Sequence, residues 1–119
     1  MIPKNATLTV LTAAASLLLA TQAQAHAKLI GSTPAADTTA TAPKQITLKF
    51  NEKVQPKFTG VELTMGGAPV ALKTTVAKDR MTLVGAPARP LTAGVYQVKW
   101  HAVTADTHRM QGSYSFTVR

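Results

Sequence analysis

The chain has 119 residues, no cysteine, 45% apolar composition and a formal net charge of +8. That length allows one domain, and the missing thiol excludes disulfide staples, cysteine-based zinc sites, blue-copper centres and cysteine nucleophiles. A basic balance can mark a nucleic-acid binder, but the Lys and Arg residues are scattered without a dense run. Solubility and weak attraction to anionic surfaces account for such a charge.

The first 25 residues read as a secretory signal peptide. Lys4 supplies a positive start, Ala6 to Ala20 is a mostly apolar run, and Ala23-Gln24-Ala25 is a small-x-small cleavage signal. The run falls short of the ~20 apolar residues that span a bilayer comfortably. The expected organisation is therefore a signal peptide over 1–25 and one exported domain over 26–119. Export is a second argument against a nucleic-acid partner.

Downstream, apolar and polar residues alternate with a period of two. Ile46, Leu48 and Phe50 form one such run, and Val61, Leu63 and Met65 a second. Met81 and Leu83 flank Thr82. Tyr96, Val98 and Trp100 form another run, and Tyr114, Phe116 and Val118 the last. Each reads as a strand with one buried and one wet face. Turn signals separate them: Gly31-Ser32-Thr33-Pro34, Ala42-Pro43, Gly66-Gly67, Ala68-Pro69, Ala86-Pro87, Arg89-Pro90 and Ala93-Gly94. No segment of 26–119 keeps a helical period beyond about two turns. The expectation is an all-β sandwich or barrel.

Three histidines remain after cleavage: His26, His101 and His108. Cleavage after Ala25 would make His26 the first residue. Its α-amine and ring Nδ1 could then close a chelate of the kind that suits Cu(II). The α-amine titrates near ~7.7–8.0, so a metal displaces its proton readily. Taken alone, a histidine after a cleavage signal is also an accident of composition. Asp106-Thr107-His108 is the second candidate, because residues i and i+2 of an extended segment share a side. One carboxylate and one imidazole from it, added to His26, make three nitrogens and one oxygen, which fits Cu(II) in type and count. The alternative is a loop with a turn-forming Asp and a solvated His. His101 shares a strand face with Gln97 and Lys99, opposite Trp100, and reads as solvent-facing or supporting. Glu52 ends the Phe50-Asn51 strand and could hydrogen-bond a ligand or guide an ion; it also reads as a surface acid. Met65, Met81 and Met110 are dispersed, which does not support a Cu(I) site. No Gly-x-Ser-x-Gly, HExxH or phosphate-binding glycine loop is present.

The start His26-Ala27-Lys28-Leu29, then Ser32-Thr33-Pro34, the strand Ile46 to Glu52, the stretch Gly94 to Trp100, and the ending from Asp106-Thr107-His108 through Gly112 to Val118 together form an ordered pattern. In that order they resemble the CopC family of periplasmic copper-binding proteins, over essentially the whole exported part. The resemblance implies an immunoglobulin-like, Greek-key β-sandwich of about seven strands. It implies a monomer that carries or buffers Cu(II) in the periplasm, in copper resistance or homeostasis. The family's ligands, the N-terminal amine and imidazole and a late Asp-x-His pair, fall on His26, Asp106 and His108. A supporting glutamate falls on Glu52. Some members add a Cu(I) site in a methionine-rich loop; around Met65 this sequence departs from that pattern. Many members work beside an inner-membrane CopD-type copper transporter, which is the implied partner. The chain is expected not to be an enzyme. Two other functions compete: a copper-dependent oxidase or oxygenase with a histidine clamp, and a metal-free sandwich serving as an interaction module. The copper enzyme lacks an aromatic platform for a glycan here, and Asp106 as ligand would fill the position that oxygen chemistry needs open.

Overall fold

The computed structural model describes residues 28–119. The expected signal peptide, the domain boundary at residue 26 and the candidate ligand His26 lie outside the described residues. The described part forms nine strands: β1 (Leu29–Thr33), β2 (Thr39–Ala40), β3 (Ile46–Phe50), β4 (Gly60–Met65), β5 (Ala68–Val70), β6 (Leu72–Val76), β7 (Thr82–Pro87), β8 (Gly94–Val103) and β9 (Arg109–Val118). They build a four-stranded sheet in the order β1-β3-β7-β6 and a five-stranded sheet in the order β2-β9-β8-β4-β5. All pairings are antiparallel except β2 with β9. The chain changes sheet between β1 and β2, β2 and β3, β3 and β4, β5 and β6, and β7 and β8, so consecutive strands cross repeatedly between the layers as in a Greek-key sandwich. Among the described residues the helical content is one 3-10 turn, Pro56–Phe58.

Alternation explains the core. Ile46, Leu48 and Phe50 of β3 and Leu83 of β7 face Val61 and Leu63 of β4, Tyr96, Val98, Trp100 and Ala102 of β8, and Phe116 and Val118 of β9. Phe50 meets Trp100 edge-on at 5.3 Å between centroids, and Tyr96 stacks on Phe116 at 5.5 Å. Such aromatic pairs contribute ~0.5–1.5 kcal/mol beyond burial of their area. The Tyr96 hydroxyl donates to the Thr92 carbonyl at 2.7 Å, so the buried phenol is satisfied.

The strand count exceeds the expected seven or so because β2 and β5 are two and three residues long, too short to show a period. Three expected turns are strand instead. Gly31-Ser32-Thr33 belongs to β1, which pairs with β3. Ala68-Pro69 belongs to β5, an edge strand, where a proline's missing N–H disturbs no ladder. Ala86-Pro87 closes β7, opposite Lys73 and Leu72. Gly66-Gly67, by contrast, is the β4–β5 turn, with positive φ at both glycines.

Candidate metal centre

β8 points Trp100 and Ala102 inward, and Thr104, one residue past its end, continues the alternation with a hydroxyl instead of an apolar side chain. Thr104 is 1% exposed. Its amide donates to the His108 carbonyl at 2.9 Å, and the Thr107 amide donates to the Thr104 carbonyl at 2.9 Å. The turn between β8 and β9 is therefore closed by backbone bonds. Thr107 completes it with a φ of 71°, left-handed backbone that a β-branched residue rarely adopts.

The turn brings Asp106 and His108 together. His108 Nδ1 lies 3.1 Å from Asp106 Oδ1, with both side chains substantially exposed. The Thr104 hydroxyl donates to the same Asp106 oxygen. It also accepts from the His108 amide at 3.0 Å. These contacts hold the Asp106 carboxyl down to about 2, the Thr104 hydroxyl contributing most and His108 next. The carboxylate thus stays ionised, and ionised carboxylate is the form that binds a cation. The physical reason for the convergence differs from the sequence expectation. The segment is not extended; left-handed Thr107 and the Thr104 bonds turn the two side chains toward each other.

The rim carrying this turn also carries the first described residue. The Lys28 amide donates to Asn51 Oδ1 at 2.7 Å, and the Asn51 amide donates to the Lys28 carbonyl at 3.1 Å. From Asn51 the chain passes through half-buried Glu52 and exposed Lys53 to buried Val54. Val54 forms an isolated antiparallel bridge with Thr104, and the Ala105 amide donates to the Lys53 carbonyl at 3.2 Å. Residues 51–54 therefore cross from the sheet of β3 to the end of β8. They join Lys28 at one side of the rim to the Asp106 turn at the other, with Glu52 between.

His101 stands apart. It pairs with Gln111 and Gly60 on the outer face of the five-stranded sheet and packs on Gly60, whose absent side chain leaves room for the ring. Among the described residues no three His, Cys, Asp or Glu side chains converge into a metal-binding group; Asp106 and His108 supply two donors. Met65 is partly buried against the core near Thr92. Two residues of the site escaped the sequence reading. Thr104 was detectable as a hydroxyl on the apolar face of an alternating strand. Asn51 carried no signal beyond its place at a strand end.

Comparisons with known proteins agree with this architecture. Residues 29–119 match the CopC domain family. Copper resistance protein C of Pseudomonas syringae pv. tomato is 43% identical over 114 residues, covering 89% of this chain and 90% of that protein. Copper resistance protein C of Escherichia coli is 40% identical over 119 residues, covering 92% of this chain and 94% of that protein. The crystal structure of PcoC, a methionine-rich copper resistance protein from Escherichia coli, matches with a TM-score of 0.74 and 44% identity, covering 80% of this chain and all of that one. With the two-sheet sandwich and a match across the whole described domain, the chain belongs to the CopC family.

Proposed function

We propose that the chain is exported, cleaved after Ala25, and carries or buffers Cu(II) in the periplasm. The ion would be held by the α-amine and imidazole of His26, the Asp106 carboxylate and the His108 imidazole, with Glu52 beside them. The observation that supports this best is the rim geometry. Lys28 is bonded to Asn51, and residues 51–54 run from there to the Asp106 turn. Two residues span at most ~7 Å, so a ligand two residues before Lys28 would be within reach of that rim. Three nitrogens and one anionic oxygen suit Cu(II), and the low proton affinity of Asp106 keeps the oxygen available.

A carrier role is favoured over catalysis because relatives of nearly full coverage are copper resistance proteins. A carboxylate ligand would also occupy the position that oxygen activation requires. A CopD-type membrane transporter is the proposed recipient or donor, and a monomer is the proposed working state.

Electron paramagnetic resonance of the Cu(II)-loaded, processed protein tests the ligand set. Superhyperfine structure from three equatorial nitrogens is expected. His26→Ala and His108→Ala should each reduce the nitrogen count. A spectrum indistinguishable between the two variants and the parent would overturn the assignment. Mass spectrometry finding a first residue other than His26 would remove the chelate.

A further inference from the structure

On the outer face of the five-stranded sheet, next to the Asp106 turn, lies a cleft of about 560 Å³. Lys57 and Phe58 form one side, and His101, Val103, Arg109 and Gln111 line the rest. No acid lines it. Glu62, on the same face, lies cross-strand from Lys99. Phe58 is 53% exposed, on a 3-10 turn that buries none of its residues. The turn is nevertheless pinned. The Gln55 amide donates to the Val103 carbonyl at 2.7 Å, and Gln55 Nε2 donates to the Thr104 carbonyl at 2.8 Å. The Val103 amide donates to the buried Thr59 hydroxyl at 3.3 Å.

An exposed aromatic on a rigid turn leaves apolar area wet in the free protein and loses little freedom when covered. Aromatic and arginine side chains are the usual anchors of protein interfaces. Here they sit with a lysine and no opposing acid, so the complementary surface is anionic. The shape narrows the occupant further. A side chain fills a concave cleft, whereas a flat lipid surface bridges it. The cleft also abuts the proposed copper site: Arg109 follows His108 in the chain, and Thr104 anchors both the Asp106 turn and Gln55.

We propose that this cleft docks an acidic segment, carrying an aromatic or aliphatic side chain, from the protein that exchanges copper with the Asp106–His108 turn. The docking face is new to the copper reading; its link to metal exchange rests on that reading. Phe58 covers the partner's apolar side chain, while Lys57 and Arg109 receive its carboxylates.

Titrating the isotope-labelled, metal-free protein with the capped peptide Glu-Glu-Phe-Glu-Glu tests it by nuclear magnetic resonance. Amide shifts are expected at residues 55–59, 101–103 and 109–111. Phe58→Ala and Lys57→Glu should each weaken binding about tenfold, the loss expected of an anchor, with melting temperatures near that of the parent. No binding at millimolar peptide, shifts elsewhere, or equal binding of a peptide with lysines for glutamates would overturn the proposal. So would Phe58-dependent binding to phosphatidylglycerol vesicles without peptide binding, which would make a membrane the occupant. Cu(II) titration of the parent protein, with and without the peptide, separates the readings. Normal copper binding without peptide binding sinks the docking face alone. Peptide binding without any copper effect supports the docking face and removes its link to the metal.

Discussion

Thr104 Oγ1 serves two neighbours at once, giving its proton to Asp106 and accepting the His108 amide. Thr104 itself is buried, so its hydroxyl is held in place while the Asp106 carboxylate it binds faces water. Thr104→Val keeps the shape and removes both bonds. The His108 amide then loses its hydroxyl acceptor, a loss of about 0.5–1.5 kcal/mol for a half-buried bond. The carboxylate loses the largest cause of its lowered proton affinity. A side-chain carboxyl titration of the metal-free protein by nuclear magnetic resonance should place Asp106 at about 2 in the parent. In Thr104→Val it should rise toward the ordinary 3.8, and in Thr104→Ser it should stay low. The sign for stability follows. The folded-state value lies below the unfolded one, so ionised Asp106 contributes stability above pH ~4 that is lost as pH falls through about 2. An unchanged Asp106 midpoint in Thr104→Val would show that the hydroxyl does not hold the carboxylate.

β8 and β9 pair over ten residues and carry both a large part of the core and the Asp106 turn between them. At their centre Gly112 lies opposite Trp100, and a Cβ there would sit 2.8 Å from Trp100 Cζ2 and 2.9 Å from Cε2. The indole cannot retreat freely, because its other side meets Phe50. Gly112→Ala should therefore cost about 1–3 kcal/mol as overpacking, visible as a melting temperature lower by several degrees. An unchanged melting temperature would mean that the indole has room to move. The same strands show what a sequence makes legible. β3, β4, β8 and β9 were readable because each buries one face, so their residues alternate. β6 was not: its middle three residues are exposed, and the pattern of Leu72 to Val76 carries little contrast. β1 was obscured by an irregularity in its pairing between Leu29 and Gly31, which breaks the period at exposed Ile30. In the site, Asp106 and His108 were legible as chemistry. Their convergence was not, since nothing in the identity of Thr107 announces a positive φ.

At the scale of the molecule, the proposed site ties the start of the domain to its last hairpin. Such a ligand set closes a long loop through the metal, and any ligand of the native state stabilises by mass action. An excess of about 1,000 times the dissociation constant adds ~4 kcal/mol, large for a disulfide-free domain of this size. Among the described residues the core draws on side chains between Leu29 and Val118. Fold and metal binding are therefore separable in one experiment. A chain starting at Lys28 should keep the circular dichroism spectrum and, without metal, a melting temperature near that of the chain starting at His26. Added Cu(II) should raise the melting temperature of the longer chain by many degrees and that of the shorter one by little. Ni(II) or Zn(II) should produce a smaller rise, since Cu(II) leads the divalent affinity order at nitrogen and oxygen sites. Equal stabilisation of both chains by Cu(II) would place the ion somewhere that needs no N-terminal histidine.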